Sequence, residues 1–204
     1  MRLKTILRWF WINFVSFAIF FLLTWIVIIF FPEFMLRVFG QWAILLEGIG
    51  AKGAGDFTTK SAMFVHILTM NSVTLIIYIV VGIFLQSPLV MLFTGVFYSS
   101  IAFLAPYTIG RSFSLNDWLL ILVELLTLII GISLSSALAG EMFGVEPDIS
   151  SLTNYWKKNW SKLLPKPVGD WKRVLKEWIR TILIGLLIII GLALFVAWFE
   201  TYGY

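Results

Sequence analysis

The sequence predicts an all-α membrane protein: one polytopic domain over residues 1–204, a bundle of about five transmembrane helices plus an external amphipathic helix and cytoplasmic interfacial helices. Three observations predict it. Sixty per cent of the residues are hydrophobic and 13% charged, with a mean hydropathy of +0.97, where a soluble domain carries roughly 25% charged residues. A single soluble core in a chain of this size still leaves much surface facing solvent, so the solvent for these side chains is lipid. Apolar runs of about 20 residues, the length that crosses about 30 Å of hydrocarbon as helix, recur along the chain. Lysine and arginine are distributed unequally between the connecting loops.

The first span covers about 9–31, contains no charge and ends at Pro32. It exceeds a signal-peptide core and no small-residue cleavage site follows, so it reads as a retained anchor. The next spans cover about 62–85, 88–105, 118–139 and 178–198. Only Gln86 and Ser87 separate the second from the third, which demands a tight helical hairpin. With the N-terminus in the cytoplasm, eleven of the fifteen basic residues lie inside: Arg2, Lys4 and Arg8, and eight between Lys157 and Arg180. Only Arg37, Lys52, Lys60 and Arg111 then lie outside, and five crossings put the C-terminus outside as well. Trp9, Trp11, Trp118, Trp178 and Trp198 stand at span ends, where amphipathic rings favour the membrane interface.

Between the first two spans, Phe34, Val38, Trp42, Leu45 and Ile49 recur at helical spacing, interrupted by Glu33, Arg37, Gln41 and Glu47. That pattern predicts an external amphipathic helix over 33–49, lying in the interface or packed as a re-entrant segment. A glycine-rich linker follows, in which Asp56, Thr58 or Thr59 can cap the next helix. The loop over 140–177 is the largest polar piece. Leu152, Trp156, Trp160 and Leu163 form a stripe beside Lys157, Lys158 and Lys162, then Pro165 and Pro167 break it, and Trp171, Val174, Leu175 and Trp178 begin a helix that feeds the last span. Lys157, Lys158, Trp160 and Lys162 make a surface for the anionic inner leaflet, worth about 1 kcal/mol per well-placed lysine, or for a protein partner.

Several chemistries are disfavoured. With no cysteine, disulfides, thiol catalysis and Cys-ligated zinc are excluded. A lone histidine offers no second imidazole for a metal, and no serine stands beside an evident base. Gly48 to Gly53 matches the dinucleotide fingerprint as a string, but a hydrophobic helix precedes it where the fingerprint needs a strand. Asn159-Trp160-Ser161 is a glycosylation acceptor in form, placed on the wrong side of the membrane. No catalytic residue, metal or cofactor is expected.

Embedded polar groups carry more information, because each needs a partner away from water. Glu124 is the only charge well inside a span, and Asn71 and His66 lie at similar depth; Arg111 and Glu200 are placed to reach that layer. Two readings compete: Glu124 fastens two spans by a hydrogen bond with Asn71 or a neighbour, or the cluster lines a hydrated cavity. Gly131, Ser135 and Ala139 recur every four residues in the fourth span and permit close backbone approach, more simply within the chain than across a dimer. Gly82 and Gly95 are the equivalent packing candidates of the second and third spans.

Three stretches resemble the stage II sporulation protein M family of integral membrane proteins. They are Ile67-Leu68-Thr69-Met70-Asn71 followed by Gly82, Leu122-Val123-Glu124-Leu125 followed by Gly131, and the closing Ala197-Trp198-Phe199-Glu200. The chain departs from the family pattern at Leu120 and Thr94, where histidine and asparagine are frequent. The resemblance implies a non-enzymatic scaffold or subunit of a membrane complex, with Asn71, Glu124 and Glu200 as the family-marked polar residues. The partners to expect are membrane lipid and another protein of the complex, with a homodimer also open and no nucleic acid. The alternative is a small permease, channel or lipid-handling subunit that uses the intramembrane polar cluster.

Overall fold

The computed structural model describes residues 2–38, 58–108, 113–162 and 166–203, and among them every regular element is a helix. In chain order these are α1 (Arg2–Phe30), α2 (32–38), α3 (Lys60–Ile83), α4 (Ser87–Thr108), α5 (Leu115–Phe143), α6 (Ile149–Asn159) and α7 (Trp171–Tyr202). Five of them, α1, α3, α4, α5 and α7, are long and apolar enough to cross a membrane. The chain is a multi-pass membrane protein. The helices extend past the predicted spans at most ends: α5 has 29 residues and α7 has 32, about 44 and 48 Å at 1.5 Å per residue. Their ends therefore project beyond the hydrocarbon.

Local chemistry sets the boundaries. Pro32 opens α2 one residue after α1 stops, at a position where its missing N–H costs nothing. Of the predicted external helix over 33–49, residues 33–38 belong to α2, and 39–49 lie outside the described residues, as do Asp56, Arg111 and the fingerprint-like Gly48 to Gly53. Thr59 caps α3, its side chain accepting from the Ala62 N–H at 3.2 Å. A capping box between Ser114 and Asp117 starts α5, and Gly144, with φ of 66°, ends it in the left-handed conformation. Asp148 and Asp170 cap α6 and α7.

The α3–α4 turn is as short as expected, and Leu85 makes it, with φ of 56° and a side chain that is fully buried. A left-handed leucine is uncommon; here its N–H reaches Gly82 O at 3.0 Å while the side chain joins the core. After the turn the two helices share little surface. α4 packs chiefly on α1, and α5 packs on α1, α3 and α7. The hub is α5: 61% of its most apolar stretch is buried inside the protein, against 6% for α3.

Two apolar layers fill the bundle. One lies at the end that carries α6, built from Trp9, Leu85, Leu134, Leu152 and Trp178. The other lies further along the spans, around Phe17, Met91, Tyr98, Leu125, Ile129 and Ile132. This corrects the tryptophan reading. Trp11, Trp118 and Trp198 are exposed at their span ends, but Trp9 and Trp178 are 0% exposed because α1, α5, α6 and α7 converge on them. The Trp178 indole N–H donates to Glu141 Oε2 at 2.7 Å.

Small residues decide how close the helices come. A methyl group at Gly95 would sit 2.8 Å from Phe21 N and would also meet Phe17 O, so α4 lies directly on the α1 backbone. One at Gly82 would sit 2.7 Å from Ile132 O and against Ser135 Oγ, so α3 does the same on α5. Gly131 faces Leu75 of α3 at 2.8 Å. Ser136 Oγ donates to Gly82 O at 3.2 Å, Ser135 Oγ bonds back to its own helix, and Ala139 joins the layer at the α6 end. The small-residue face of α5 is packed within the chain.

Candidate intramembrane polar site

Three helices supply the polar groups at regular spacing. Asn71, Thr74 and Tyr78 follow one face of α3 at intervals of three and four. Glu124 and Thr127 share a face of α5, and Thr94 and Tyr98 a face of α4. The packing of α3 and α4 against α5 and α1 turns these faces towards one another.

The hydrogen bonds run between helices. Tyr78 and Thr94 bond through their hydroxyls, joining α3 to α4. Tyr98 of α4 lies within electrostatic reach of Glu124 of α5. Thr94 and Thr127 also donate to carbonyls one turn back, at 2.8 Å each, which satisfies their hydroxyl protons inside the helix. Asn71, Thr74, Glu124 and Thr127 then enclose a cavity of about 10 Å³ with Leu75, Leu128, Ala193 and Val196. That is room for a single water at most.

The predicted residues thus separate. Asn71 and Glu124 share the cavity, and Glu200 on α7 lies within electrostatic reach of Glu124. His66 sits on α3 about a turn and a half from Asn71 and does not line the cavity. Glu124 shares its cavity with Asn71, the residue the sequence reading set beside it, and has Tyr98 within electrostatic reach. Among the described residues no group of three potential metal ligands assembles.

Sequence reasoning missed Tyr78 and Tyr98, whose rings count as apolar in a hydropathy window while their hydroxyls behave as polar groups. It also missed Asn13. That amide is fully buried in α1 and donates to Ser133 Oγ of α5 at 2.9 Å. The signal was available: Asn13 is the one amide in the first span, and a polar group in hydrocarbon needs a partner.

At the α6 end the charges stand apart from this site. Lys157, Lys158 and Lys162 are exposed and pair with no carboxylate among the described residues, and Trp160, the C-cap of α6, is 91% exposed. Leu152 is buried and Trp156 half-buried, so the aromatic stripe is anchored at its start and free at its end; Leu163 and Pro165 lie outside the described residues. Burial pushes the Tyr155 hydroxyl above its usual range, while hydrogen bonds from the Ser150 side chain and backbone hold Asp148 below the usual carboxylate value. The Arg2 guanidinium bonds both the carboxylate and the carbonyl of Glu177, Arg173 reaches the same carboxylate at 3.0 Å, and together they tie the chain's first turn to the start of α7. No protein-family model, no curated protein and no solved structure matches this chain.

Proposed function

We propose that this chain is a non-enzymatic scaffold, an anchoring subunit of a membrane complex, with the α6 end in the cytoplasm and the C-terminus outside the cell membrane. The observation that carries the reading is how the embedded polar groups are used. Tyr78 of α3 bonds Thr94 of α4, Asn13 of α1 bonds Ser133 of α5, Ser136 of α5 bonds Gly82 of α3, and the cavity that Asn71 and Glu124 share is only about 10 Å³. Such contacts fasten a bundle, each worth about 0.6 to 2 kcal/mol in a membrane. A solute path needs a continuous polar lining. The orientation rests on the basic residues: Arg2 and the α6 lysines belong to one end of the bundle, and positive charge favours the cytoplasmic side. The resemblance to the stage II sporulation protein M family supports the same role, a membrane anchor that gathers other proteins.

The test is gentle purification from native membranes with cross-linking and mass spectrometry. A near-stoichiometric partner protein cross-linked to the chain is the expected outcome; recovery of the chain only with itself and lipid would count against the scaffold.

One observation favours the permease reading, namely that Asn71 and Glu124 face the same cavity from two helices. In this cysteine-free chain, single cysteines at both positions report water access directly. Labelling at either by a membrane-impermeant thiol reagent would revive transport, and inert thiols at both would leave fastening as their role.

A further inference from the structure

A groove of about 570 Å³ opens at the α6 end, between α6 on one side and the α3–α4 turn with the end of α5 on the other. Its size falls in the range of small-molecule sites, and its lining is divided. Ile83, Phe84 and Leu89 of the hairpin and Phe143 of α5 make an apolar floor that continues the lipid-facing surface of the spans, where Ile83 and Leu89 are exposed. The other wall is Tyr155 and Trp156. At the mouth stand Asn159, Ser161 and Lys162, and Lys157 and Lys158 are exposed at the end of α6 just before them.

We propose that this groove holds an anionic phospholipid of the inner leaflet, with its phosphate at Lys162 and Asn159 and the upper part of one acyl chain on the Phe84–Leu89–Phe143 floor. The inference takes the α6 end to be cytoplasmic, as above, and is otherwise independent of the scaffold role. Charge complementarity selects the occupant. Lys162 lines the polar end of a cleft whose other end is apolar, Lys157 and Lys158 stand exposed within five residues of it, none of the three pairs with a carboxylate among the described residues, and a bilayer lipid carries those two chemistries in that order. A peptide partner would leave the floor only partly filled, because the floor continues into the lipid-facing side of the spans. Tryptophans flanking the mouth suit the headgroup boundary, since each ring is apolar with one donor. Helix α6 is held by Leu152 in the apolar layer at its end of the bundle, so the groove is built before a lipid arrives.

The experiment uses the full chain in detergent, titrated with phosphatidylglycerol or phosphatidylcholine of matched acyl chains and read by native mass spectrometry. The expected result is at least five-fold stronger retention of phosphatidylglycerol. Replacing Lys157, Lys158 and Lys162 together by glutamine should bring that ratio close to one. Replacing Lys4, Lys172 and Lys176, which lie away from the groove, by glutamine should leave it unchanged. Leu89→Trp, which fills the floor without altering charge, should weaken retention of phosphatidylglycerol several-fold. Equal retention of the two lipids by the native chain would overturn the proposal, as would loss of preference in both lysine variants alike, which signals a diffuse charge effect. A protein cross-linked across Trp160 in native membranes, combined with no lipid preference, would assign the groove to that protein instead. Should the triple variant fail to fold, the Leu89→Trp result decides alone.

Discussion

The Asn13 amide N–H and the Trp178 indole N–H each meet a partner from another helix, while Asn13 Oδ1 is buried without one. Their energetic weight should be modest and separable. Asn13→Ala removes the bond to Ser133 and should destabilise the bundle by about 1 kcal/mol, since interhelical bonds in membranes average below that and reach about 1.7; unfolding in mixed micelles measures it. A cycle of Tyr98→Phe and Glu124→Ala should give a coupling of similar size, about 0.6 to 1.7 kcal/mol. Zero coupling would mean the two side chains do not fasten α4 to α5. Glu124→Gln alone keeps a group that can accept from Tyr98, and should fold and assemble almost as the native chain does. Trp178→Ala differs in kind, because it empties a fully buried ring site and should cost about 3 kcal/mol or more.

The glycines that matter at the scale of the element can be told apart by what they face. Gly95 lies on the backbone of α1 and Gly191 has nothing within 4 Å. Gly95→Ala should therefore push α4 away from α1 and lower yield and thermal stability, whereas Gly191→Ala should be neutral or slightly stabilising through helix propensity, by about 1 kcal/mol at most. Equal effects from the two substitutions would mean that close approach at Gly95 is not needed. Helix α6 depends on its cap. Asp148 accepts from Ser150, and that bond holds its carboxyl below the usual range. A depressed native value means that the contribution is full above the unfolded value near 3.8 and is lost as pH falls through the lower native value. Amide exchange in the first turn of α6 should accelerate in that acid window, and Asp148→Ala should show the faster exchange already at neutral pH. The elements themselves were largely readable. Each of the five spans lies within or overlaps a helix found, because a run of apolar residues in lipid must satisfy its own backbone. Their ends were less so: Ser114 and Asp148 act through local side-chain bonds that an apolar window does not register.

For the whole molecule, the odd number of crossings makes a direct prediction about sidedness. Impermeant thiol reagents added to intact cells should label a cysteine introduced at Gly203 and spare one at Ser161; the reverse pattern would invert the proposed orientation. Length, hydropathy and charge distribution by themselves determined that this chain spans a membrane about five times and which loops are basic, since both follow from the transfer of single residues between water and lipid. They also picked out Glu124 and Asn71, whose polarity is costly wherever the spans lie. Tertiary structure alone decided that α4 packs mainly on α1 and not on its hairpin neighbour α3, that α5 is the hub, that Trp9 and Trp178 are core residues, and that Asn13 meets Ser133. The reason is physical: in lipid every apolar face is equally comfortable outward, so hydrophobicity cannot choose a neighbour, and the choice falls to close backbone approach at small residues and to a few paired polar groups.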